Sequence, residues 1–141
     1  MQQDLVGIRF SENGAVDAAQ LNALYRLIGW DRFNRRTPAE TVEMLKLSSY
    51  KIAAYSTDRS LVGFTRICGD PYVVQILDVI THPEFRRRGI ATQCMQGVVS
   101  HLRSSCYVTA TLTCNDDLKT FYQPFGFQVQ RDCTMAWKPP A

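Results

Sequence analysis

The 141-residue, 16.0 kDa chain is long enough for one domain with a sizeable core, and 45% apolar against 21% charged residues is an ordinary globular balance. No window nears the ~20 consecutive apolar residues of a membrane span, and a net charge of +3 is too mild to mark a nucleic-acid binder. Five scattered cysteines, with no C-x-x-C pair and no histidine spacing suited to zinc, predict buried free thiols and no metal; the opening Met1-Gln2-Gln3-Asp4 has no leader character, which predicts a cytoplasmic protein.

Val6 to Phe10 alternates apolar and polar residues as a first strand, and Ser11-Glu12-Asn13-Gly14 reads as the turn after it. A helix follows from a cap at Asp17, with Gln20 three residues on and Leu21, Leu24, Tyr25 and Ile28 on one face. Gly29-Trp30 ends it. The loop from Asp31 to Arg36 carries Arg32, Arg35 and Arg36 around Phe33. Thr37-Pro38-Ala39-Glu40 then opens a second helix as a capping box with proline at its first position. Ile52–Tyr55 and Leu61–Ile67 read as a hairpin, and Tyr72–Thr81 is the longest strand pattern, expected to be central.

That strand runs into His82-Pro83-Glu84-Phe85-Arg86-Arg87-Arg88-Gly89-Ile90-Ala91, where a proline stop, three arginines and a glycine precede a helix whose apolar positions Ile90, Cys94, Val98 and Leu102 recur every four residues. Peptide N–H groups at a helix start carry partial positive charge, glycine lets a ligand approach the backbone, and arginines add forked donors. The segment is built for an anion such as a phosphate. A strand over Tyr107–Thr113 completes a parallel crossover unit. Asn115 or Asp116 then caps a short helix ending at Pro124, and Phe127–Gln130 with Thr134–Trp137 reads as a closing hairpin.

Arg86 to Ala91 matches the Q/R-x-x-G-x-G/A loop of the GNAT superfamily of acyl-CoA-dependent N-acetyltransferases, with Ala91 where many members carry a second glycine. Asn115, Phe121, Tyr122 and Phe125-Gly126-Phe127 resemble that family's second motif, although Pro124 stands where a basic residue is frequent. The resemblance covers roughly Leu61 to Phe127. It implies a single α/β domain over residues 1–141, with a mixed twisted sheet of about six to seven strands splayed around the central strand and helices on both faces.

It also implies a site. Arg86, Arg87, Arg88, Gly89, Ile90, Ala91 and Thr92 would hold the pyrophosphate of acetyl-CoA, and the backbone of Val79, Ile80 and Thr81 would pair with its pantetheine arm as an added strand. Asn115 belongs to the same coenzyme side. Tyr122 would hydrogen-bond or protonate the leaving sulfur, against the alternative of a core tyrosine. Asp78 would take the amine's proton or merely attract the cationic amine; His82 and Cys114 are weaker candidates. Trp30 and Phe33 either shape the acceptor pocket or are core aromatics.

The reaction implied is acetyl transfer to a primary amine by direct attack in a ternary complex, without metal, nucleic acid or membrane. A protein lysine or N-terminal amine as acceptor, a longer acyl chain, and a non-catalytic acyl-CoA-binding module remain alternatives. A homodimer is common in proteins of this type.

Overall fold

A computed structural model describes residues 4–140; most of the opening segment, Met1 to Gln3, and the last tail residue, Ala141, lie outside the described residues. Five strands form one sheet in the order β1 (Arg9–Glu12), β2 (Tyr50–Tyr55), β3 (Leu61–Gly69), β4 (Val73–Thr81) and β5 (Thr109–Thr111). The first four pair antiparallel, and β4 pairs parallel with β5. Helices α1 (Ala18–Leu27) and α2 (Pro38–Leu47) cover one face, and α3 (Ile90–Ser104) covers the other.

Burial on both faces follows from the strand period of two. In β2, Tyr50, Ile52 and Ala54 join the core beneath α3, while Ala53 and Tyr55 join the core shared with Leu21, Leu24 and Tyr25 of α1 and Leu45 of α2. Each helix starts where its sequence demands. The Asp17 carboxylate accepts the Ala19 N–H at 3.0 Å, and Thr37 Oγ1 accepts the Glu40 N–H at 3.2 Å with Pro38 at the first position. A cap of this kind contributes ~1 kcal/mol. Gln20 does not complete a box with Asp17. Its Oε1 instead accepts the Leu61 N–H at 3.0 Å and ties α1 to the start of β3.

The structure differs from the sequence reading in four places. The first strand lies at Arg9–Glu12 rather than Val6–Phe10, because Gly7 takes φ +79° and turns the chain before pairing begins. The sheet has five strands among the described residues, short of six or seven, since no strand forms after Gly126. Phe127 packs against the core, but Val129, Met135 and Trp137 are 64%, 90% and 83% exposed. Alternation there meets no sheet face able to bury it. β4 is next to the edge strand rather than at the middle, and of the five free cysteines only Cys94 is buried, with Cys106 and Cys133 exposed.

β3 contributes a glycine at the contact that seats α3. A Cβ on Gly63 would lie 2.6 Å from Ile90 Cγ2 and 3.2 Å from Ala54 Cβ, so the first residue of α3 rests directly on the β3 backbone. Overpacking a filled contact costs ~1–3 kcal/mol. Gly63→Ala is therefore expected to lower the urea midpoint by a destabilisation in that range, and an unchanged midpoint would show that Ile90 has room to move.

Candidate active site

The cleft begins where two strands part. β5 pairs with β4 only through Val73, Val74 and Gln75, whereas β3 follows β4 as far as Thr81. From Ile76 onward β4 has no β5 partner, so Val79, Ile80 and Thr81 keep one backbone edge unpaired in the sheet. An open edge is a template for an added strand.

At the end of that edge, His82 caps a short turn over Pro83–Phe85 by accepting the Glu84 N–H on Nδ1 at 3.1 Å. This leaves His82 in a structural role. Arg87 and Gly89 adopt φ +66° and +96°, both left-handed, which curls the loop and brings Gly89 to the N-cap of α3. No side chain caps this helix. The first intrahelical bond here is Gln93 N–H to the Gly89 carbonyl at 3.0 Å, so the N–H groups of Ile90, Ala91 and Thr92 precede it. An uncapped helix start beside exposed Arg86 and Arg87 concentrates N–H donors and positive charge, the combination an anion cradle needs. The Arg88 side chain is engaged elsewhere. Its Nε and Nη2 donate to the carbonyls of Asp4 and Val6 at 2.8 and 2.9 Å, pinning the N-terminal segment and leaving only its backbone to the cradle.

Asp78 lies on the opposite face from what strand alternation implies. Ile76 points into the α3-side core, and two residues on the same should follow. A bulge intervenes, as the β3–β4 register shifts between Phe64 and Arg66, and Asp78 adopts φ +61°. Aspartate tolerates that conformation better than most residues. The result turns its carboxylate toward α1, where Oδ2 accepts Tyr25 Oη–H at 2.5 Å and Arg66 Nε–H at 2.6 Å. Oδ1 receives no hydrogen bond among the described residues. Burial and the neighbouring carboxylate push the Tyr25 hydroxyl far above its usual range, so it remains a donor.

Neither Tyr25 nor Arg66 was singled out by the sequence reading. Tyr25 sits on the apolar stripe of α1 and passes for a core aromatic. Arg66, in an otherwise apolar strand and only 12% exposed in its side chain, carried the available signal, since a buried guanidinium requires a buried acceptor.

Tyr122 ends a short helix, α4 (Lys119–Tyr122), and is 7% exposed in the same apolar cluster as Ile90, Cys94 and the partly buried Val79. Phe121 and Phe127 meet its ring edge-to-face at 4.9 and 6.3 Å. Burial, with a smaller contribution from Cys114, raises its phenol to about 12. Asn115 is exposed at the turn into this helix and makes no side-chain cap bond. Trp30 and Phe33, 53% and 80% exposed, are not core residues; they line an open cleft of about 450 Å³ with Arg35, Arg36 and Met44. No group of three or more His, Cys, Asp or Glu side chains is placed to hold a metal among the described residues, and no helix is long and apolar enough to cross a membrane.

The chain is similar to known proteins along most of its length. The model of the acetyltransferase (GNAT) family matches residues 21–127. The chain is 30% identical to the uncharacterized N-acetyltransferase ycf52 of Pyropia yezoensis, over 94% of this chain and 78% of that protein. Its identity to the ycf52 N-acetyltransferase of Gracilaria tenuistipitata var. liui is 28%, over 96% and 76% of the two chains. A crystal structure of a probable acetyltransferase from Staphylococcus aureus superposes with a TM-score of 0.80 at 19% identity, covering 94% of this chain and 99% of that one.

The buried pair makes a direct prediction. Removing one partner of a buried ion pair costs ~3–5 kcal/mol because the other charge is stranded. Arg66→Met should destabilise the protein by about that much in urea, and adding Asp78→Asn should recover part of the loss. A single variant as stable as the parent would mean that water, rather than Arg66, solvates Asp78.

Proposed function

The chain belongs to the GNAT acetyltransferase family, and from that premise we propose that it transfers an acetyl group from acetyl-CoA to a primary amine by direct attack in a ternary complex, with residues 1–141 acting as one catalytic domain. The observation that carries this reading is the unpaired β4 edge at Val79–Thr81, opening beside an uncapped helix start. Acetyl-CoA supplies an activated thioester carbonyl and a thiolate leaving group.

The residues present fit it. Backbone groups of Val79, Ile80 and Thr81 take the pantetheine arm along the open edge, and one N–H of this segment polarises the thioester oxygen where negative charge develops. N–H groups from Arg88 to Thr92 hold the pyrophosphate, with Arg86 and Arg87 meeting the outer phosphates and the Thr92 hydroxyl adding a contact. Asn115 faces the coenzyme from the far wall. Tyr122 donates its proton to the departing sulfur; because its phenol is raised to about 12, it is fully protonated at neutral pH.

Asp78 faces the amine. Arg66 and Tyr25 both occupy Oδ2, so Oδ1 is the oxygen that orients the attacking nitrogen and accepts its proton, directly or through water. Trp30 and Phe33 form the outer wall on the acceptor side.

Two variants and the parent's pH profile test the assignment. Gly89→Glu places a carboxylate and a strained side chain at a left-handed N-cap, so acetyl-CoA affinity by calorimetry in metal-free buffer should fall beyond detection; undiminished binding would remove the cradle. Tyr122→Phe keeps the ring but deletes the donor, and kcat is expected to drop on the order of 10²-fold with little change in acetyl-CoA affinity. The parent's activity should show no tyrosine limb until the pH approaches 12. A lowered melting temperature with kcat intact would make the hydroxyl structural.

A further inference from the structure

Between the second half of α1 and the start of α2 lies an open cleft of about 550 Å³, lined by Asn22, Arg26, Asn34, Arg36 and Thr37 among others. Two guanidinium groups face it and no carboxylate does. Such a volume suits a small molecule or one arm of it.

Its floor holds an unmet donor. Asn22 is only 2% exposed; its Oδ1 accepts the Thr41 hydroxyl at 2.6 Å, while Nδ2 has no partner among the described residues. A buried amide N–H₂ without an acceptor is costly, and this one lies just beneath the cleft's lining. The surroundings favour an anion. Arg26 Nη1 donates to Asn34 Oδ1 at 3.3 Å, which leaves the Asn34 amide and the remaining Arg26 N–H groups to the cleft. The start of α2 is already capped by Thr37 and Glu40, so the positive sign comes from the arginines, and the nearest acid of the loop, Asp31, already accepts the backbone N–H groups of Arg35 and Arg36 at 2.9 and 3.3 Å.

Arg36 connects this cleft to Asp78. Its guanidinium stacks 3.7 Å above the Tyr25 ring, whose hydroxyl reaches Asp78 Oδ2, and the same arginine also lines the neighbouring cleft with Trp30 and Phe33. The fully buried Tyr25 ring thus stands between Arg36 and the carboxylate assigned to the amine.

We propose that this cleft between α1 and α2 takes the carboxylate or phosphate of an anionic amine, which makes the acceptor a small molecule carrying both an amine and an acidic group. The inference rests on the acyl-transfer reading above. It selects against lysine-rich peptides, whose positive charge the three loop arginines Arg32, Arg35 and Arg36 repel.

Thiol release from acetyl-CoA, measured with matched amines, tests it: glucosamine 6-phosphate against glucosamine for a phosphate, and lysine against cadaverine for a carboxylate. In at least one pair the anionic amine should have a kcat/KM about tenfold higher, the effect of one charge-assisted contact, and the pair concerned identifies the acid. Arg26→Gln should erase that ratio. Arg103→Gln, which removes the same charge from an exposed position on α3, should preserve it. A binding readout independent of turnover is the Asn22 side-chain amide in ¹H–¹⁵N spectra, which should shift and saturate with inorganic phosphate in the parent and require about tenfold more in Arg26→Gln. Equal turnover of both members of each pair, or an Asn22 amide indifferent to phosphate, overturns the proposal while acyl transfer stands. If no amine is turned over and acetyl-CoA does not bind, the acyl-transfer reading fails and takes the acceptor assignment with it.

Discussion

Everything at the site depends on the way β4 is paired. Its antiparallel side is followed by β3 to the last residue, broken only by the bulge at Asp78, whereas its parallel side is paired for three residues and then left open. Backbone N–H and C=O groups are obligatory hydrogen-bonding groups, so an edge released inside a fold must meet water or a ligand. Ile90, Cys94, Met95 and Tyr122 pack into one core cluster on the α3 face of the sheet. The unpaired strand edge lies on the same chain segment that leads into α3, which begins without a side-chain cap.

The two core clusters divide the chemistry between the faces of the sheet. On the α3 side lie the uncapped start of α3 and Tyr122; on the α1–α2 side lie Tyr25, Arg66 and the loop arginines. A single left-handed residue joins them. Without the bulge at Asp78, the carboxylate would point beneath α3 with Ile76 and leave Arg66 stranded in an apolar layer. With it, one strand keeps an open backbone edge at Val79–Thr81 and turns a carboxylate toward α1. The conformation is unfavourable for most side chains, and it is held by two hydrogen bonds to a single oxygen.

The basic residues of the chain do unlike work despite similar chemistry. Arg66 is buried and neutralises Asp78, and Arg88 staples the N-terminal segment through two carbonyls. Arg86 and Arg87 stay in solvent at the cradle, while Arg36 lies flat on an aromatic ring between two clefts. A planar guanidinium with donors along its rim serves all four settings, which an ammonium would not.

Local chemistry in the sequence determined the helix starts at Asp17 and Thr37, the end at Gly29, the crossover through α3 and the turn at Arg86–Gly89 that leads into it, because caps, glycines and apolar periods act within a few residues of themselves. The family and the general fold were legible from the same stretches. Tertiary structure alone decided that Arg88 is a staple, that Trp30 and Phe33 are exposed, that Phe127 to Trp137 forms no hairpin and that Asp78 faces Tyr25 and Arg66. Each of those outcomes depends on a partner distant in the chain: Arg88 finds Asp4, Arg66 finds Asp78 across a ladder, and the alternating tail finds no face to cover it. Sequence period states which side of a strand is apolar; only the packed fold states what lies opposite, and a one-residue bulge is enough to reverse it.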